Sequence, residues 1–337
     1  HSEDALFRIS YELMMDNAAE GVRYIEVRFA PQLLMSEKMS YGQVMDAVDR
    51  GLRTARDELN ARLAAGEPEY DYGLIVCAMR FCLPVFSPYY AKFWQDHAGL
   101  SDTQIIQKAS VELARATAEL RAGQRQDSKM GAATQVVGFD IAGAENGFPA
   151  SQFAEAYALA GRAFLGKTVH AGEAYGAESI YQAVTKLHAE RIGHGLFLFD
   201  ATRLQDVRIV DRNAYLEALI DYIAKRRITL EVCLSSNLQT TPSLSNIAAH
   251  PFGTMLERGL AVTLCTDNRL VSNTCVTQEY RLAVDHFPID AKRLKMLALT
   301  GFEHAFHFRP YAEKIDYLKR VAAHYDTIAR QHGVASA

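Results

Sequence analysis

No run in this chain reaches the ~18 consecutive apolar residues that a membrane-spanning helix needs, so a transmembrane segment is not expected. Cysteine is scarce: Cys77, Cys82, Cys233, Cys265 and Cys275 make an odd number with no paired spacing. That pattern argues against a disulfide framework and suits reduced thiols in a cytosol. Charge of one sign is not in excess either. Lys and Arg number 36 against 40 Asp and Glu, a net charge of −4. The electrostatic footprint of a nucleic-acid or anionic-membrane partner is therefore lacking. The 9 prolines and 21 glycines gather into no long linker, and no short repeat is visible. What is there is ordinary for a globular protein, with 49% hydrophobic and 23% charged residues. A single large domain over residues 1–337 is expected.

Short apolar runs alternate with longer amphipathic stretches. The runs are 24–29 (YIEVRF), 72–79 (YGLIVCAM), 136–141 (VVGFDI), 167–170 (KTVH), 191–193 (RIG), 229–232 (TLEV) and 261–265 (AVTLC). Helical patterns cover 43–63, 102–122, 153–164, 178–187 and 213–225, with a further short helical stretch at 5–15. Such alternation implies parallel strands buried under helices. Seven units approach the eight of a TIM barrel. A doubly wound sheet competes, but polar residues cluster where nearly every run ends, and in a barrel those ends face the active site. In order they carry Arg28, Arg80, Asp140, His170, His194, Ser235 to Asn237 and Asp267.

Four segments carry chemistry. In Thr168-Val169-His170-Ala171-Gly172-Glu173 a strand ends on an imidazole, glycine allows a tight turn, and a carboxylate follows. The plain alternative is a helix first turn in which the dipole favours Glu173. In Arg191-Ile192-Gly193-His194-Gly195, glycines give a strand-end histidine room. A buried histidine there is an acid–base or electrostatic candidate. Thr266-Asp267-Asn268 places a carboxylate where it can bind a cation or, as a catalytic residue, accept a proton from water, although Asp and Asn also form turns and helix caps. Asp140-Ile141-Ala142-Gly143 ends another run with a glycine that exposes its backbone amide. Arg28 and Arg80 fit best as ties between strands and loops. The segment 81–107, with Trp94, Phe86, Tyr89, Tyr90 and Phe93, reads as core or interface more readily than as a substrate box.

Together with Glu231-Val232-Cys233-Leu234-Ser235-Ser236-Asn237 and His250-Pro251, these segments resemble the adenosine deaminase family over about residues 16–308. The tail 266–273 (TDNRLVSN) is similar to a bacterial subgroup. The resemblance implies a barrel, one catalytic zinc and hydrolytic attack on purine C6. It implies that His170 and Asp267 are zinc ligands, that Glu173 protonates N1 and that His194 orients the attacking water. It also implies that the Gly143 amide faces purine N3. Many relatives have Asp where this chain has Asn268, a position implied to meet N7; an amide donates there without needing a proton. The substrate implied is adenosine and 2′-deoxyadenosine, in cytoplasmic purine salvage. Adenine, a 6-substituted purine or AMP are alternatives, and so is a catalytically silent barrel. A nucleotide would call for a basic phosphate-binding cluster, which is not found.

The family's His-x-His, at the end of its first strand, has no counterpart in this sequence. His1 is the only histidine ahead of the first run. The expectation is a chain that is a portion of a longer polypeptide, whose upstream segment brings the first strand and two more histidine ligands. Made alone, the chain is expected to hold zinc weakly and not to deaminate adenosine.

Overall fold

A computed structural model describes residues 2–126 and 134–334, which leaves His1 outside the described residues. The chain forms two compact units. The first contains α1 (Glu3–Ala19), β1 (Tyr24–Phe29), α2 (Tyr41–Asn60), β2 (Asp71–Met79), α3 (Pro88–Asp96), α4 (Asp102–Gln126), β3 (Val136–Ala142), α5 (Ala154–Arg162) and the start of β4 (Gly166–Ala171). The second takes over at His170. It holds most of α6 (Ala177–Lys186), then β5 (Arg191–His194), α7 (Arg212–Lys225), β6 (Thr229–Val232), α8 (Leu234–Thr240), α9 (Phe252–Glu257) and β7 (Val262–Leu264). It ends with α10 (Arg269–Ser272), α11 (Val276–His286), α12 (Ala291–His304) and α13 (Tyr311–Gln331).

In the first unit β1 pairs in parallel with β2, Tyr24 opposite Asp71 through Phe29 opposite Val76. β3 takes the other edge of β2, and Gly138 and Phe139 face Gly166 and Lys167 of β4. β2 is buried at every residue but the last. A parallel strand covered on both faces reads as an unbroken apolar run, and LIVCAM is one. α2 starts at a capping box, with Ser40 and Gln43 each satisfying the other's backbone amide. Its residues Val44, Val48, Leu52 and Ala55 recur at helical spacing and are buried.

In the second unit β5 pairs with β6 and β6 with β7, again in parallel. The strand orders are β1-β2-β3-β4 and β4-β5-β6-β7, in chain order. A doubly wound sheet must reverse its order at a switch point; neither sequence of strands does. The fold class is therefore α/β of the TIM-barrel type, with seven strands among the described residues.

The aromatic segment resolves as packing. Tyr90 and Phe93 of α3 are buried, and Tyr89 stacks on Phe93 at 5.5 Å between ring centroids. The Tyr90 hydroxyl donates to Gln32 Oε1 at 2.9 Å, which ties α3 to the turn after β1.

Candidate active site

Three groups meet in the second unit at the ends of β4 and β5. The rings of His170 and His194 lie 5.3 Å apart between centroids. Gly193 makes this possible: a Cβ there would sit 3.3 Å from Cα and Cγ of His170. Gly172 turns the chain with φ of +74°, a conformation glycine adopts without strain, and brings Glu173 back. Glu173 Oε2 lies 3.5 Å from His194 Nε2, longer than a good N–H···O bond. The His194 side chain is 2% exposed and that of Glu173 30%. The histidine is thus fixed in the wall, while the carboxylate reaches solvent and anything bound from it.

Two short motifs hold this arrangement. The Ser236 hydroxyl donates to Asp267 Oδ2 at 2.7 Å, which orients the carboxylate after β7. Asn237 Nδ2 lies 3.0 Å from His194 Nδ1, and Asn237 Oδ1 lies 3.1 Å from His250 Nε2. The Phe252 amide, at the start of α9, donates to His250 Nδ1 at 3.0 Å. Burial, and secondarily the nearby His194, push the His250 imidazole down to about 4. Ser236, Asn237 and His250 had no assigned role in the sequence reading, although the CLSSN and His-Pro segments that contain them stood out.

Backbone geometry singles out the same residues. Among the described residues, six non-glycine residues have positive φ: Phe164, His188, His194, Arg227, Asp267 and Asn273. Phe164, His188, Arg227 and Asn273 fall just after α5, α6, α7 and α10, where left-handed residues end helices. His194 instead ends β5, and Asp267 follows β7. Left-handed conformations off glycine cost on the order of 1–3 kcal/mol and cluster at functional sites.

The imidazole of His170 and the carboxylate of Asp267 are of the donor types that zinc accepts. Their number falls short: among the described residues no three His, Cys, Asp or Glu side chains gather to hold a metal ion. The described residues therefore do not make a zinc centre by themselves. Asn268 is exposed and accepts the Val271 amide at 3.2 Å, capping α10; this is the cap that the sequence allowed. In the first unit Gly143 is exposed with φ of +98°. There Arg28 Nη1 contacts Asp140 Oδ2 at 3.3 Å, and Arg80 donates to the Phe148 carbonyl at 2.6 Å. Both arginines act as ties.

A family model described as Adenosine deaminase matches residues 1–87 and 97–323. The chain is 33% identical over 304 residues to an adenosine deaminase of Mycobacterium ulcerans (strain Agy99), covering 90% of this chain and 71% of that protein. Among solved structures it is similar to adenine deaminase from Arthrobacter aurescens, at 21% identity, TM-score 0.70 and coverage of 97% and 81% of the two chains. It is also similar to a cog1816 amidohydrolase from Burkhoderia ambifaria with bound Zn, at 22% identity, TM-score 0.71 and coverage of 99% and 76%. A third is the N6-methyl-AMP deaminase from Arabidopsis thaliana, at 24% identity, TM-score 0.69 and coverage of 96% and 78%. With a family match across most of its length and a relative above 30% identity, this chain belongs to the adenosine deaminase family and is a hydrolase of the deaminase type.

Proposed function

We propose that this site serves the zinc-dependent hydrolysis of adenosine and 2′-deoxyadenosine to the inosines and ammonia in cytoplasmic purine salvage, once the two further histidine ligands that the family resemblance implies are supplied. One observation carries the reading: His170, Glu173 and His194 meet at neighbouring strand ends. In the reaction the oxygen of water bonds to C6, the bond from C6 to the amino nitrogen breaks, and that nitrogen leaves as ammonia. Glu173 gives a proton to N1, which makes C6 more electrophilic. His194, buried and fixed, orients the attacking oxygen. His170 and Asp267 would be this chain's part of a zinc site that needs further ligands, and the metal would make a bound water more acidic. The absence of disulfides among the five cysteines suits a reducing compartment. Two further contacts belong to the proposal: the Gly143 amide to purine N3, and the Asn268 amide to N7.

The names of the structural neighbours define the competing substrates. The test is release of ammonia from adenosine and from adenine, and of methylamine from N6-methyl-AMP, at equal substrate concentration with zinc supplied. Adenosine is expected to have the highest kcat/KM. Preference for the free base or for the nucleotide would replace the nucleoside assignment.

A further inference from the structure

We infer that Asn237 and His250 are positioning residues that fix the tautomer of His194, leaving its proton on Nε2, the atom that faces Glu173. The inference deepens the proposed function, and only its activity measurements rest on that reading.

The polarity of the chain of contacts starts from a group with no choice. A backbone N–H can only donate, and the Phe252 amide meets His250 Nδ1 at 3.0 Å. That amide sits in the first turn of α9, where helix N–H groups have no partner within the helix. His250 Nδ1 is therefore the acceptor, and the proton of its neutral ring is on Nε2. His250 Nε2 then donates to Asn237 Oδ1 across 3.1 Å. An amide has one oxygen and one nitrogen, so the Asn237 NH₂ is what remains to face His194 Nδ1 at 3.0 Å. An NH₂ group only donates. His194 Nδ1 is thus the acceptor, and its neutral ring carries hydrogen on Nε2. Reversing any one link sets two donors or two acceptors face to face. His250, Asn237 and His194 are 3%, 0% and 2% exposed, so bulk water does not relieve such a mismatch. The signal is thus set at the beginning of α9 and read at the end of β5. A histidine presenting N–H rather than a lone pair toward the site holds an oxygen as an acceptor, which is what orienting a water or hydroxide requires.

Asn237→Asp tests this because it keeps the shape and inverts one end. A carboxylate only accepts, so it demands hydrogen on His194 Nδ1 and takes it from Nε2. The tautomer is read by ¹⁵N–¹H NMR of protein labelled at histidine nitrogens. The wild-type chain is expected to show His194 as Nε2–H and the Asp variant as Nδ1–H. With adenosine, kcat should fall roughly 10²-fold, as when an acid–base group is misaligned, while KM stays within about threefold. Should the Asp variant fail to fold, His250→Gln provides the second arm. Its terminal NH₂ still donates to Asn237, so the Nε2–H form and most of kcat should persist, whereas His250→Leu should lose both. A wild-type His194 protonated on Nδ1, or an Asn237→Asp variant with an unchanged tautomer, overturns the inference. The expected tautomers in a protein that does not turn over adenosine would support it and remove the nucleoside reading instead.

Discussion

Two polar clusters at strand ends carry the same mark in the sequence and end in different chemistry. In the first unit Asp140 is fully buried and faces Arg28, while Arg80 spends its charge on the Phe148 carbonyl. Cations that keep their proton at any physiological pH meet an acceptor, and the contacts tie strands to loops. In the second unit two imidazoles and a partly exposed carboxylate meet. An imidazole is the side chain whose proton moves near neutral pH, and the carboxylate beside the pair reaches solvent. Polarity at a strand end therefore locates a rim, while the nature of the partner decides whether that rim holds the fold or performs a reaction.

The contrast is sharpest at Glu173. Glu173→Gln keeps the shape and removes the transferable proton, so kcat should fall by roughly 10²–10⁴ with little change in KM. Arg28→Lys in the first cluster should leave kcat within a few-fold. Comparable losses in steady-state kinetics would erase the distinction between the clusters. From the other side, Asp140→Ala strands the charge of Arg28 and should cost roughly 3 kcal/mol of stability, read as a shifted denaturant midpoint. A midpoint that does not move would mean that the half-buried pair holds nothing.

Acid should act on the second unit through His250. Its folded value of about 4 lies below the ~6.5 of an unfolded histidine. Below 6.5 the unfolded chain binds the proton more readily. The stability is therefore complete above about pH 6.5 and declines by up to about 3 kcal/mol as pH falls toward 4. His304 and His307 are pushed down as well, to about 4 and about 3, with burial first among the causes. The measurement is accordingly the difference between the wild-type and His250→Gln pH profiles, with the variant expected to be flatter; parallel profiles would exclude His250 as a contributor.

The smallest effect separates two roles of Asn268. As the cap of α10, its replacement by Ala should cost about 1 kcal/mol of stability. If its amide also meets N7, the preference for adenosine over the analogue with carbon at position 7 should shrink by roughly 0.5–1.5 kcal/mol. An unchanged preference would leave Asn268 as a cap alone.

Most strand and helix positions were legible because burial writes itself into local pattern. The run 24–29 coincides with β1 and 229–232 with β6, and 136–141 stops one residue short of the end of β3. Long-range pairing leaves no such trace. Asn237 and His250 lie 13 residues apart, on either side of a turn whose register decides whether they meet. Ser236 reaches an aspartate 31 residues away. The TDN segment was ambiguous for a different reason: a side chain that caps a helix is the same side chain that would recognise a ligand. The zinc site stayed incomplete in both readings, with His170 and Asp267 its only donors named from this chain.

Gly193 has no functional group, and no proton or electron passes through it. Yet a single added carbon would press on the backbone and ring of His170. An alanine there would need His170 to give by a few tenths of an ångström, so in a saturation mutagenesis survey it should score below glycine, and larger side chains with the essential positions. Some of the positions that such surveys flag as catalytic are places where the enzyme depends on an atom being missing.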